Sequence, residues 1–155
     1  MLGLNVSDHP LAFVRAELDT LGAVPFGRLH LVSDGRRVRV AGVLERAQMP
    51  WIRSGHRTLF LTLEDETGLA EVVVFNDVYL RYGRVLKEAV YLLVEGELQN
   101  NAERGLAIVA ARVVDLEATL RRLRDLPADE RNRALKRSGE WLPRVEPRTR
   151  PGRTG

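Results

Sequence analysis

Residues Thr58–Phe75 read TLFLTLEDETGLAEVVVF, two β-rich runs on either side of a polar turn, Glu64-Asp65-Glu66-Thr67-Gly68. Leu59, Leu61 and Leu63 alternate with Phe60, Thr62 and Glu64. That period of two marks a half-buried strand, because successive side chains point to opposite faces. Past the turn, Glu71, Val73 and Phe75 share one face and Val72 and Val74 the other. Gly68 can supply the positive φ that closes a short hairpin loop without steric cost. A tight hairpin is therefore predicted, with Phe60 and Phe75 on faces that need not be core.

Upstream, Arg36–Glu45 (RRVRVAGVLE) alternates again, Val38 and Val40 against Arg37 and Arg39, and Gly42 predicts a bulge or sharp bend. A polar loop, 47–57, joins this strand to the hairpin. Earlier still, Leu11, Val14, Leu18 and Leu21 recur at helical spacing. Ser7 or Asp8 can cap that helix, Pro10 suits its first turn, and Gly22 sits at a C-cap position. Val24–Gly27 interrupts the pattern and Ser33-Asp34-Gly35 is a turn.

Downstream, Asn76–Leu86 is a short helix by the spacing of Val78, Tyr82 and Leu86, with Asn76 as its N-cap and Gly83 working against it. Ala89–Gln99, with a central Gly96, and Leu106–Val114 are two further strands joined by a turn at 100–105. Leu116, Leu120 and Leu123 mark a helix that Pro127 helps to end. Beyond it the chain is rich in Arg, Glu and Pro, and disorder is predicted from Pro143 onward.

Five strands, a helix between strands 3 and 4, and glycine bends in strands 1 and 4 predict a mainly β fold. The expected architecture is a five-stranded OB-fold barrel with flanking N- and C-terminal helices. An SH3-like barrel or an incomplete sandwich shares the strand count, but neither calls for a helix at that position. The expected division is an N-terminal amphipathic helix and linker over 1–35, the barrel over 36–115, a C-terminal helix over 116–127 and a basic tail over 128–155.

The chain has 155 residues, a length that fits one domain, and no run of apolar residues long enough to span a membrane. The start, MLGLNVSDHP, has neither the basic nor the apolar region of a secretory signal, so a cytoplasmic setting is expected. The lack of cysteine excludes disulfides, thiolate zinc sites and cysteine nucleophiles. His9, His30 and His56 have no metal-binding spacing, and no P-loop, dinucleotide or nucleophile-elbow motif is present. An enzyme is not expected, and no cofactor is implied. Net charge is +3. Residues 1–115 hold 13 Lys and Arg against 15 Asp and Glu, whereas residues 116–155 hold 11 against 6. The basic end can bind polyanions by releasing counterions, or it can be a solvated tail.

The segments VRVAGVLE (38–45), LFLTLEDETGLAEVVVF (59–75) and NDVYLRYGRVL (76–86) resemble the OB domain of the alpha subunit of bacterial DNA polymerase III, including its error-prone relatives. The leader LGLNVSDHPLAFVR (2–15) resembles the stretch that precedes that domain. The likeness covers roughly residues 2–115, too short for the palm, fingers or histidinol-phosphatase-like domain. It implies the family's single-stranded-DNA-contacting module without polymerase catalysis.

OB barrels hold single strands on the face of strands 2 and 3, framed by the loops between strands 1 and 2 and strands 4 and 5. Those loops map to 47–57 and 100–105. Phe60 and Phe75 are the expected stacking platforms, with Thr62 beside Phe60; the alternative is that either phenylalanine packs under a terminal helix. Trp51, Arg53, His56 and Arg57 combine an aromatic with cations in the first loop, although a loop Trp can equally anchor on the barrel. Arg46 at the loop base, Arg39 on strand 1 and Arg104 in the second loop add candidate phosphate contacts. The acidic turn 64–66 is expected to be solvated. The expected partner is single-stranded DNA, bound with little sequence preference in replication or repair. The alternatives are docking on a polymerase or other replisome subunit, and RNA binding. No membrane partner is expected, and the oligomeric state is open.

Overall fold

The computed structural model describes residues 9–49, 58–101, 105–130 and 133. The strands are β1 (Arg37–Gln48), β2 (Leu59–Asp65), β3 (Gly68–Val74), β4 (Tyr91–Asn101) and β5 (Gly105–Asp115). They close into a barrel in the order β1-β2-β3-β5-β4. All neighbours are antiparallel except β3 and β5, which run parallel. This is the five-stranded OB-fold barrel that the strand order predicted.

Alternation decides what lies inside. Leu59, Leu61 and Leu63 of β2 and Ala70, Val72 and Val74 of β3 point inward and join Val40, Leu92, Val94, Leu98 and Ile108 in one core. Helix α2 (Asn76–Glu88) adds Tyr82 and Leu86 to that core. Its N-cap is Phe75 and no side chain caps it; Asn76, expected as the cap, is already the first helical residue. The helix is interrupted at Tyr82, whose backbone leaves the helical region just before Gly83.

Two glycines are set by crowding. At Gly96 an added Cβ would lie 2.1 Å from the Val109 carbonyl oxygen. The β4–β5 register shifts at that point, between Glu95 and Gly96. Gly42 was expected at a bulge or bend, but the β1 irregularity falls three residues later, between Leu44 and Arg46. Gly42 instead makes room: its Cβ would lie 2.9 Å from both Leu63 Cβ and the ring of Phe26.

The N-terminal segment begins as a 3-10 turn (Pro10–Val14) and continues as α1 (Arg15–Thr20). The expected caps Ser7 and Asp8 lie outside the described residues. His9 takes the cap role, its Nδ1 accepting from the Leu11 amide at 3.1 Å. Gly22 follows α1 at φ 80°, as a C-cap glycine should. Leu11, Leu18 and Leu21 then meet Leu116, Leu120 and Leu123 of α3 (Leu116–Arg124) over the outer wall of β1, β4 and β5 at Ala41, Leu93 and Val114. This second apolar layer covers one side of the barrel. A further 3-10 turn (Phe26–Leu31) sends Phe26 and Leu29 into the barrel core. No helix among the described residues is long and apolar enough to cross a membrane.

Candidate nucleic-acid interface

Pairing of β2 with β3 and β1 arranges the outward side chains in rungs. Gln48, Phe60 and Val73 form one rung, and Arg46, Thr62 and Glu71 the next. Glu64 and Leu69 form a third, at the turn. Phe60 is 37% exposed and Phe75, one residue beyond β3, is 46% exposed. Among the described residues, the terminal helices pack on β1, β4 and β5 and not on Phe60 or Phe75. Thr62 sits one rung from Phe60 and its hydroxyl donates to Glu71 Oε1 at 3.0 Å. Arg46 stands on the same rung as Thr62 and is exposed.

Arg39 is placed differently from the expectation of a phosphate contact. Its Nε donates to Glu95 Oε2 and its Nη1 to the Leu21 carbonyl, both at 3.0 Å. Arg37 binds the other Glu95 oxygen at 3.0 Å. Burial would push the Glu95 carboxyl up, but the hydrogen bonds from Arg39 and Arg37 outweigh it and hold the group below the usual carboxylate range. A guanidinium shared between a buried carboxylate and a backbone carbonyl fastens the N-terminal segment to the β1–β4 wall. Trp51, Arg53, His56, Arg57 and Arg104 lie outside the described residues.

The acidic turn is not the solvated tip that its composition suggested. Asp65 is 2% exposed. Its Oδ1 accepts from the amides of Thr67 and Gly68 and from the Thr67 hydroxyl at 2.7–3.0 Å, and its Oδ2 accepts from the Phe26 amide at 2.8 Å. Arg15 grips Glu66 with Nε at 2.6 Å and Nη2 at 2.5 Å, and also reaches Asp65 Oδ2 at 3.3 Å. His9 Nε2 pairs with Glu64 Oε1 at 3.1 Å. The Arg15 hydrogen bond holds the Glu66 carboxyl below its ordinary range. His9 and Arg15 of the leader therefore occupy the turn end of the β2–β3 face. His9, Arg15 and the EDETG turn are all visible in the sequence, but no local pattern signals that they touch. Glu71, also missed as a site residue, was legible as an outward position on β3. Among the described residues no group of three or more His, Asp or Glu side chains could hold a metal.

A family model described as an OB-fold nucleic acid binding domain matches residues 38–116. The chain belongs to that family. Its curated relatives include proteins named error-prone DNA polymerase. The one from Caulobacter vibrioides is 41% identical over 80% of this chain, and the one from Nocardia farcinica 42% identical over 70%. A third, from Mycobacterium bovis, is 38% identical over 72%. The matched regions cover 11%, 9% and 10% of those relatives, so the chain spans about a tenth of their length. In the Caulobacter and Nocardia relatives, as in this OB-fold domain, the resemblance reaches well beyond a shared barrel shape, and the DNA polymerase III alpha likeness read from the leader and hairpin is borne out.

Proposed function

We propose that this OB-fold domain binds single-stranded DNA on the outer face of β1, β2 and β3, without catalysis and with contacts to the sugar–phosphate chain that do not depend on sequence. The observation that carries the reading is the pair of exposed phenylalanines, Phe60 and Phe75, on a side of the barrel away from the apolar layer that the described terminal helices form. Each aromatic face that stacks a base contributes roughly 1–3 kcal/mol, whichever base it is. Arg46 is the described cation beside that platform, and Trp51, Arg53, His56, Arg57 and Arg104 extend the proposed contacts into the two framing loops. The resemblance to polymerases supports replication or repair as the setting. Titration of labelled oligo-dT at low salt tests the reading. Binding that weakens steeply with salt is expected; no binding at tens of micromolar protein overturns it. Competition with an RNA oligomer separates DNA from RNA.

A second reading, docking on a polymerase subunit, is favoured by Phe13. Its ring is 76% exposed on the 3-10 turn next to a shallow groove between the N-terminal segment and α3. Recovery of a polymerase subunit from nuclease-treated lysate by the wild type and not by Phe13→Ser would favour it.

A further inference from the structure

The barrel closes through a short seam. β3 and β5 pair in register only from Glu71–Ala107 to Val73–Val109. At the near end of that seam lies a cavity of about 250 Å³. Phe26, Leu98 and Ile108 line it from the barrel interior, and Leu69, Glu71 and Ala107 from the outer face. Glu71 is the one charged side chain among the described residues that line it. The volume is just below the range of drug-sized sites and suits one small flat heterocycle.

Glu71 also belongs to the open face, since Thr62, one rung from Phe60, donates to its Oε1. The cavity mouth and the proposed stacking platform are therefore neighbours on β3. The remaining lone pairs of Glu71 can only accept hydrogen bonds. A phosphate is repelled there, whereas a base edge carrying an amino group satisfies the carboxylate. Cytosine and adenine present such donors. Thymine sets its single ring N–H between two carbonyl oxygens, which oppose the carboxylate. We propose that this cavity is a base subsite, taking one unstacked base with an exocyclic amino group and hydrogen-bonding it through Glu71. The subsite rests on the reading that the β1–β3 face binds single strands, and it adds a base preference to an otherwise sequence-tolerant interface.

Anisotropy titrations at pH 7.5 with labelled twelve-residue oligomers test it. For the wild-type chain, oligo-dC should bind about tenfold tighter than oligo-dT. An oligomer of 2-pyrimidinone, which keeps the ring and loses the 4-amino group, should bind like oligo-dT. Glu71→Gln, whose amide can both donate and accept, should bring dC and dT within about twofold. Ala107→Leu, which narrows the mouth, should likewise bring dC and dT within about twofold. If dC, dT and 2-pyrimidinone bind the wild type equally, the subsite is overturned and the interface stands. If none of them binds, both fall together.

Discussion

Phe60 and Phe75 are large apolar side chains that the fold leaves partly in water, and they hold up little of the core. Phe60→Ala should therefore leave the melting temperature nearly unchanged while weakening oligo-dT binding by roughly 1–3 kcal/mol. Equal losses of stability and binding would show that the ring is a packing residue. Gly96 presents the reverse case. A methyl group there meets the Val109 carbonyl oxygen at 2.1 Å, a backbone atom that cannot swing aside. Gly96→Ala should destabilise the barrel by about 3 kcal/mol in denaturant unfolding, the upper end for overpacking. Tyr82 buries its ring, and its hydroxyl is buried without a hydrogen-bond partner among the described residues. Burial accordingly raises its pKa. Removing a hydroxyl that has lost water and gained nothing should be neutral or stabilising, by up to about 1 kcal/mol for Tyr82→Phe. A clear loss of stability would indicate a bound water at that oxygen.

Among the elements, the N-terminal segment departs most from its reading as a helix and linker. It caps the turn end of the β2–β3 face through His9 and Arg15 and sends Phe26 into the core. Hydrogen bonds to charged groups contribute roughly 1.5–3 kcal/mol, so Arg15→Ala should cost an amount of that order. The same contact predicts an acid dependence. The Glu66 carboxyl is held below its ordinary value by Arg15, so its contribution is complete above that value and is lost as pH falls through the lowered one. Wild-type stability should fall more steeply than that of Arg15→Ala as pH drops below about 4.5, the ordinary value for Glu. Parallel curves in urea melts across that range would remove Glu66 from the account.

At the scale of the whole molecule, charge and fold are separated along the chain. The barrel with its leader is close to neutral, and the excess of Arg and Lys lies in residues 116–155. An aromatic face without a strongly basic surround binds single strands weakly, and a basic extension would strengthen it by counterion release. Deleting residues 128–155 should weaken oligonucleotide binding and flatten its dependence on salt while preserving the fold. An unchanged slope of log Kd against log salt would make the tail a bystander.

The strand order, the inward and outward faces of β2 and β3, and the helix between β3 and β4 were all legible in the sequence. Each follows from a local period of two or 3.6 residues that burial enforces. Gly42 was legible as exceptional but not in its role, because the crowding comes from Phe26 and Leu63, distant in the chain. The acidic turn was misread for the same reason. Nothing in EDETG reveals that His9, Arg15 and the Phe26 amide arrive from some 40 to 55 residues away. Arg39 looked like a surface cation until β4 brought Glu95 beside it. Local pattern determined which side chains face outward. Only the closed barrel decided which of those outward groups already have partners, since ion pairs and close packing join residues whose separation in sequence carries no signal.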